Sequence, residues 1–229
     1  MDTIGRVLAA TALFRGLSEE DLVQIRRIAV DKSFERTETV FSEGDAARGF
    51  YVVAEGRVKI FKLSPDGKEQ ILHIYGPGDP FGEVPMFSGQ RFPANAQTLT
   101  RCRLVYLPRK AFVERIGENP SLALNMLAVL AARLRQFTMQ VESLSLKEVP
   151  GRLASYLMVL QREQSGKSGI ELPISKGQLA SLLGTIPETL SRIFSKMSEQ
   201  GLIRVQGRAI EVVDAQGLQE LAELGKIVE

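Results

Sequence analysis

The stretch Thr185–Val205, TIPETLSRIFSKMSEQGLIRV, carries the strongest local pattern in the chain. Read as a helix, its first half places Glu188, Ser191 and Arg192 at i, i+3 and i+4 on one face, with Leu190, Ile193, Phe194 and Met197 on the other. Such a helix packs by its apolar stripe and offers three hydrogen-bonding side chains to a partner. Just before it, SKGQLASLLG reads as a brief helix stopped at Gly184. Two helices joined by three or four residues with a glycine in the turn form a helix-turn-helix. After Gly201, LIRVQGRAIEVV predicts two strands around Gln206-Gly207, a wing. Upstream, from Gly151, come an amphipathic helix (Leu153, Tyr156, Leu157, Leu160), a Gly/Ser-rich loop over residues 165–169 and a strand-like ELPI, Glu171–Ile174.

In a helix-turn-helix the second helix enters the major groove and brings its N-terminal residues to base edges. Arg192 can donate two parallel bonds to guanine, Glu188 can accept from cytosine N4, and Ser191 is permissive. The competing reading of Glu188 and Arg192 is a surface ion pair worth a few tenths of a kcal/mol. The wing and the preceding helix favour base reading. Between Lys167 and Arg208 there are six cationic and three anionic residues, a local surplus that the whole-chain charge of +2 does not reveal.

Working towards the N-terminus, residues 120–146 carry Leu127, Leu130, Leu134, Phe137, Val141 and Leu144 at alternating spacings of three and four. This is a heptad seam. With no second apolar helix in the chain to receive it, a parallel partner from a second copy is expected; the competing reading is a helix lying on its own β-unit. Val149-Pro150 ends it, because Pro disfavours α conformation in the residue before it and suits the first turn of a new helix. Residues 35–108 change period again. TVF, FYVVA, RVKIFKLS and ILHIY are separated by turn chemistry, with Gly44, Gly56, Gly67, Gly78 and Gly82 at the spacing of successive strands. Pro65-Asp66-Gly67 is a turn by its residue types. Ser18 and Asp21 resemble a capping box opening a short helix with Leu22 and Ile25 inward.

The composition, 44% hydrophobic and 24% charged over 229 residues, is that of a globular protein of one large or two small domains. No apolar run reaches the ~20 residues of a bilayer span and the N-terminus lacks a leader pattern, so no membrane partner and a cytoplasmic location are expected. A single cysteine, Cys102, cannot supply an iron–sulfur cluster. One histidine, His73, cannot build a His-rich metal site or more than one catalytic triad, and there is no P-loop, so an enzyme is not expected.

Over nearly its whole length the chain resembles the CRP/FNR family of bacterial transcription regulators. PETLSRIFSKMSEQGLI is similar to that family's recognition helix and VPGRLASYL to the start of its DNA-binding domain. The resemblance implies an α+β fold: a cyclic-nucleotide-binding-type β-roll (jelly-roll) over residues 1–118, a long dimerisation helix and hinge over 119–147, and a winged helix-turn-helix over 148–229. It implies double-stranded DNA, a second copy of the chain, RNA polymerase and a small-molecule effector as partners. Carried over by position, Glu188, Ser191 and Arg192 would read bases, at a half-site similar to TTGAT. Lys176, Thr189 and Lys196 would meet phosphates.

GDPFGEVPMFSGQRFPANA resembles the family's phosphate-binding cassette. Gly82 and Glu83 are retained. The Arg-Ser positions that hold a cyclic phosphate carry Phe92 and Pro93 instead, with Arg91 displaced by one, and the two adenine-facing hydroxyl positions are Phe137 and Thr138. A phosphate buried without its guanidinium would be poorly compensated, so cAMP is not the expected effector. By alignment His73 lines the same pocket, and a neutral imidazole facing an apolar slot is a candidate haem ligand. Haem also accords with a resemblance of RVKIFKLSPDGKEQIL and SLALNMLAVLAARL to the DNR and HcpR branches, which respond to nitric oxide or nitrosative stress. Met86 and Met139 are candidates for a second axial ligand, with core packing the default for each. A regulator controlled only by its own abundance is the further alternative.

Overall fold

The computed structural model describes residues 3–88, 91–164 and 169–225, for residues 3 and 86–88 the backbone alone. Met86's side chain and Lys167 therefore lie outside the described residues. The chain divides into two compact units, Met1–Leu134 and Arg135–Glu229.

The first unit opens with α1 (Thr3–Ala10) and α2 (Glu19–Ile28). Ser18 caps α2, accepting from the Asp21 amide at 3.1 Å, while its hydroxyl donates to the Asp21 carboxylate. Eight strands follow: β1 (Val30–Phe34), β2 (Thr39–Phe41), β3 (Gly49–Glu55), β4 (Val58–Leu63), β5 (Glu69–Tyr75), β6 (Pro80–Phe81), β7 (Asn95–Thr98) and β8 (Cys102–Pro108). They form two antiparallel four-stranded sheets, ordered β1-β8-β3-β6 and β2-β7-β4-β5. The Pro65-Asp66-Gly67 turn closes as expected, with the Gly67 amide on the Ser64 carbonyl and φ +81° at Gly67.

The apolar run of β3 is covered on both faces, which is why it does not alternate. Phe50, Val52 and Ala54 join Ile4, Leu8, Leu13, Phe14, Ile25 and Phe112 in one core, together with α1, α2 and α4 (Arg109–Glu118). Tyr51 and Val53 face a second core with Phe41, Val58, Tyr75, Phe81, Phe92 and Leu104. Between β5 and β6, the chain turns at Gly76–Asp79, and α3 (Glu83–Ser88) follows β6 directly.

Helix α5 (Ser121–Leu146) carries residues of both units. Leu122 and Met126 are buried in the first core and Leu130 packs against it. This corrects the seam at Leu130: spacing by four puts it on the face of Leu122 and Met126, which the β-unit already covers. The other seam residues, Leu127, Leu134, Phe137, Val141 and Leu144, are all exposed in the single chain, as are Leu124 and Met139.

The second unit holds α6 (Val149–Glu163), β9 (Gly169–Glu171), α7 (Lys176–Leu182), α8 (Pro187–Glu199), β10 (Ile203–Gln206), β11 (Ala209–Val212) and α9 (Ala215–Leu224). Pro150 lies in the first turn of α6. Gly151 lets α6 approach the end of α9 so closely that a Cβ there would stand 2.5 Å from Gly225. The expected ELPI strand sits earlier, at Gly169–Glu171, because Leu172 instead exchanges bonds with Arg208 and Pro173 has no amide to donate. The wing turn falls on Gly207-Arg208, one residue later than expected, since Gln206 still pairs with Ala209.

Candidate functional site

Ser175 and Gln178 build a full capping box at the start of α7, with reciprocal bonds of 2.9 and 3.2 Å. The helix closes at Leu183, and Gly184 takes φ +67°, a left-handed conformation that turns the chain away at little steric cost. Pro187 then sits in the first turn of α8, where its missing amide costs nothing. Leu190, Phe194 and Met197 of α8 are buried, and so are Leu179 and Ala180 of α7. Glu188, Ser191, Arg192 and Lys196 are exposed on the opposite side of α8, and Thr189 is half-buried.

No ion pair joins Glu188 and Arg192 among the described residues; Arg192 Nη2 donates to Thr189 Oγ1 at 3.3 Å, leaving most of its donors outward. Lys176 Nζ lies 5.1 Å from the centroid of the Phe194 ring of α8, a cation–π contact. Two of the counted cations are engaged structurally. Arg208 donates twice to the Leu172 carbonyl, and Arg204 pairs with Glu211 at 2.6 Å across the wing. Among the described residues, Arg192 and Lys196 are the exposed cations on the outward face of α8.

In the first unit the cassette residues are gathered differently from expectation. Glu83 is buried, and its Oε1 is ion-paired with Arg133 of α5, which also donates to the Pro80 carbonyl. The Arg133 guanidinium stands 4.8 Å over the Tyr75 ring, and Tyr75 lies 4.5 Å from the His73 ring. His73, Tyr75, Glu83 and Arg133 thus form one cluster. Burial lowers the His73 pKa, with the Arg133 charge adding to the effect and Asp79 opposing it. Burial likewise pushes the Tyr75 phenol up to about 12.

The expectation that the cassette lacks a guanidinium is corrected, because Arg133 supplies one from the long helix. Its sequence signal is its position three residues after Leu130, on the face that Leu122 and Met126 bury. That guanidinium is committed to Glu83, while Glu83 Oε2 is buried without a hydrogen-bond partner.

Phe92 is buried and stacked on Phe41, centroids 3.7 Å apart at 7°. The two rings close over Gly82, where a Cβ would stand 3.1 Å from Phe92 and 3.3 Å from Phe41. Arg91 points away, donating to the Gly44 carbonyl at 2.7 Å, and Pro93 is exposed. Phe137 and Thr138 belong to the second unit and are exposed there, as is Met139. The described residues contain no group of three or more His, Cys, Asp or Glu able to hold a metal ion, and no helix long and apolar enough to cross a membrane.

Residues 31–119 match the cyclic nucleotide-binding domain family, and residues 151–221 match the Crp-like helix-turn-helix domain family. The chain is 30% identical to the "CRP-like cAMP-activated global transcriptional regulator" of Mycobacterium tuberculosis, over 94% of this chain and 98% of that protein. It is 31% identical to the "Cyclic AMP receptor protein" of Thermus thermophilus, again over 94% and 98%. Among solved structures it is similar to FixK2 from Bradyrhizobium japonicum, with a TM-score of 0.76 and 27% identity over 88% of this chain and 100% of that one. The first of these relatives is named as a transcriptional regulator. Two family matches in the right order, the outward polar face of α8 and relatives aligned end to end lead to one conclusion: the chain is a member of the Crp/Fnr family of transcription regulators, with a DNA-binding helix-turn-helix.

Proposed function

We propose that two copies of the chain bind a palindromic operator, each α8 reading a half-site similar to TTGAT through Glu188, Ser191 and Arg192, with Lys176, Thr189 and Lys196 on phosphates, and that the bound dimer acts on RNA polymerase. One observation carries the base-reading role: Leu190, Phe194 and Met197 are buried, so Glu188, Ser191 and Arg192 must face outward at the N-terminal half of the helix. The exposed apolar face of α5 supports the second copy. Arg192→Ala is expected to cost about 1–3 kcal/mol per half-site on the operator and little on random duplex. Lys196→Ala is expected to weaken both alike and to flatten the salt dependence. Equal losses on both duplexes for the Arg192 variant would remove its base-reading role.

The β-roll on this reading binds an effector other than cAMP. Two of the relatives are named for cAMP, but Phe92 stacked on Phe41 takes the place of the phosphate-holding arginine, and the Arg133 guanidinium is held by Glu83. Addition of cAMP should leave operator affinity unchanged.

Haem is a second reading, favoured by His73, whose imidazole burial keeps neutral, the form that ligates iron. The donor fits, but the space over Gly82 does not, since Phe92 and Phe41 fill it. The link to nitrosative stress rests on the resemblance in sequence. A Soret band that is lost in His73→Ala would establish the haem reading, and its absence from the wild-type protein incubated with haem would end it.

A further inference from the structure

The second core of the first unit leads to a cavity of about 370 Å³ lined by Lys32, Val40, Phe41, Asp45, Ala46, Arg48, Gly49, Tyr51, Phe92 and Tyr106. It is a different place from the Glu83–Arg133–His73 cluster. Of the residues that the family resemblance assigns to the effector, only Phe92 lines it, sharing with Phe41 the role of wall.

Its chemistry is specific. Four aromatic residues, Phe41, Phe92, Tyr51 and Tyr106, contribute to its wall, three of them nearly buried, and the volume lies at the small end of ligand pockets. Two cations face it. Lys32 Nζ stands 4.6 Å from the centroid of Tyr106 and 5.9 Å from that of Tyr51. Arg48 is close enough to Tyr106 for its charge to lower that phenol's pKa, against the dominant effect of burial, which raises it. Neither Lys32 nor Arg48 is ion-paired with a carboxylate among the described residues. The one carboxylate of the lining, Asp45, is occupied in accepting the Ser42 amide at 2.8 Å. Two cations against one anion leave the cavity lining with a positive surplus, to which an anionic group is complementary.

We infer that this cavity binds a small aromatic anion, a one- or two-ring carboxylate whose ring lies among Phe41, Phe92, Tyr51 and Tyr106 and whose carboxylate meets Lys32 and Arg48. This deepens, and rests on, the reading of the β-roll as a sensor of an effector other than cAMP. The probe is 2-naphthoate, with uncharged 2-naphthamide as its isostere, titrated by ligand fluorescence; the chain contains no tryptophan to interfere.

The expected result is saturable binding of 2-naphthoate at least tenfold tighter than 2-naphthamide. Lys32→Met and Arg48→Met should each weaken the acid about tenfold and leave the amide nearly unchanged. Arg48 is exposed, so its variant keeps the test interpretable should the Lys32 variant lose stability. No saturable binding by the wild-type protein, equal affinity for acid and amide, or acid affinity untouched in the Arg48 variant would each overturn the inference. The underlying reading fails by a separate sign, a tightening of operator binding by cAMP.

Discussion

Phe92 and His73 are both assigned to one pocket by position in the sequence, yet their surroundings set them different tasks. Phe92 completes an aromatic set in which Tyr51 and Tyr75 each stack on Phe81 at 5.3 and 5.6 Å. A ring there adds packing where an arginine would need a counter-charge. His73 lies at the edge of the same set, beside Tyr75 and the Arg133 charge. Its folded pKa is lowered from 6.5, so below about pH 6.5 the unfolded chain binds a proton that the folded chain resists. Stability should therefore fall as the pH drops through that window, and His73→Gln should remove this part of the dependence. Thermal melts of both proteins between about pH 5 and pH 8 check it, since carboxylate titration is common to the two. Parallel curves would show that His73 is not held neutral.

Helix α5 serves two surfaces, and its sequence displays only one. The heptad spacing makes Leu127, Leu134 and Val141 legible, because apolar residues seven apart on a helix stand on one face and need a partner to cover them. Leu130 shares that spacing but belongs with Leu122 and Met126, and no period separates the two faces where the stripes overlap. Arg133 is only partly legible for a related reason: its place after Leu130 marks the face, but an arginine on a helix reads as solvent-facing until the partner, Glu83, is known to be buried fifty residues earlier. Helix α1 is no more legible, although Ile4 and Leu8 are almost fully buried, because eight residues carry too few repeats to establish a period. By contrast α8 is readable to its individual faces, since local capping, the Gly184 turn and the apolar stripe agree. At this scale Leu134→Asp tests the second copy. A carboxylate placed against its symmetry mate should give monomers by sedimentation and much weaker operator binding, while the fold of each unit, in which Leu134 is exposed, should persist. An unchanged sedimentation coefficient with native affinity would take α5 out of the interface.

The whole molecule holds two units of different character. The first builds two cores around β3 and holds a cavity and a charged cluster that do not coincide. The second is tied to the end of α5 by short bonds: the Arg152 guanidinium donates to the Lys147 carbonyl at 3.0 Å, the Lys147 ammonium to Ser155 at 3.0 Å, and the Glu148 amide to the Gly225 carbonyl at 2.8 Å. The segment before Pro150 is thus fastened within the second unit. With Glu188, Ser191 and Arg192 outward on α8, this unit should recognise sequence and not merely negative charge. The direct measurement is the affinity of the wild-type chain, at one fixed salt concentration, for a duplex with two inverted TTGAT half-sites about one helical turn apart and for a scrambled duplex of equal length. A preference of at least about a thousandfold for the palindrome is expected. Equal affinity for the two duplexes would show that α8 reads charge alone.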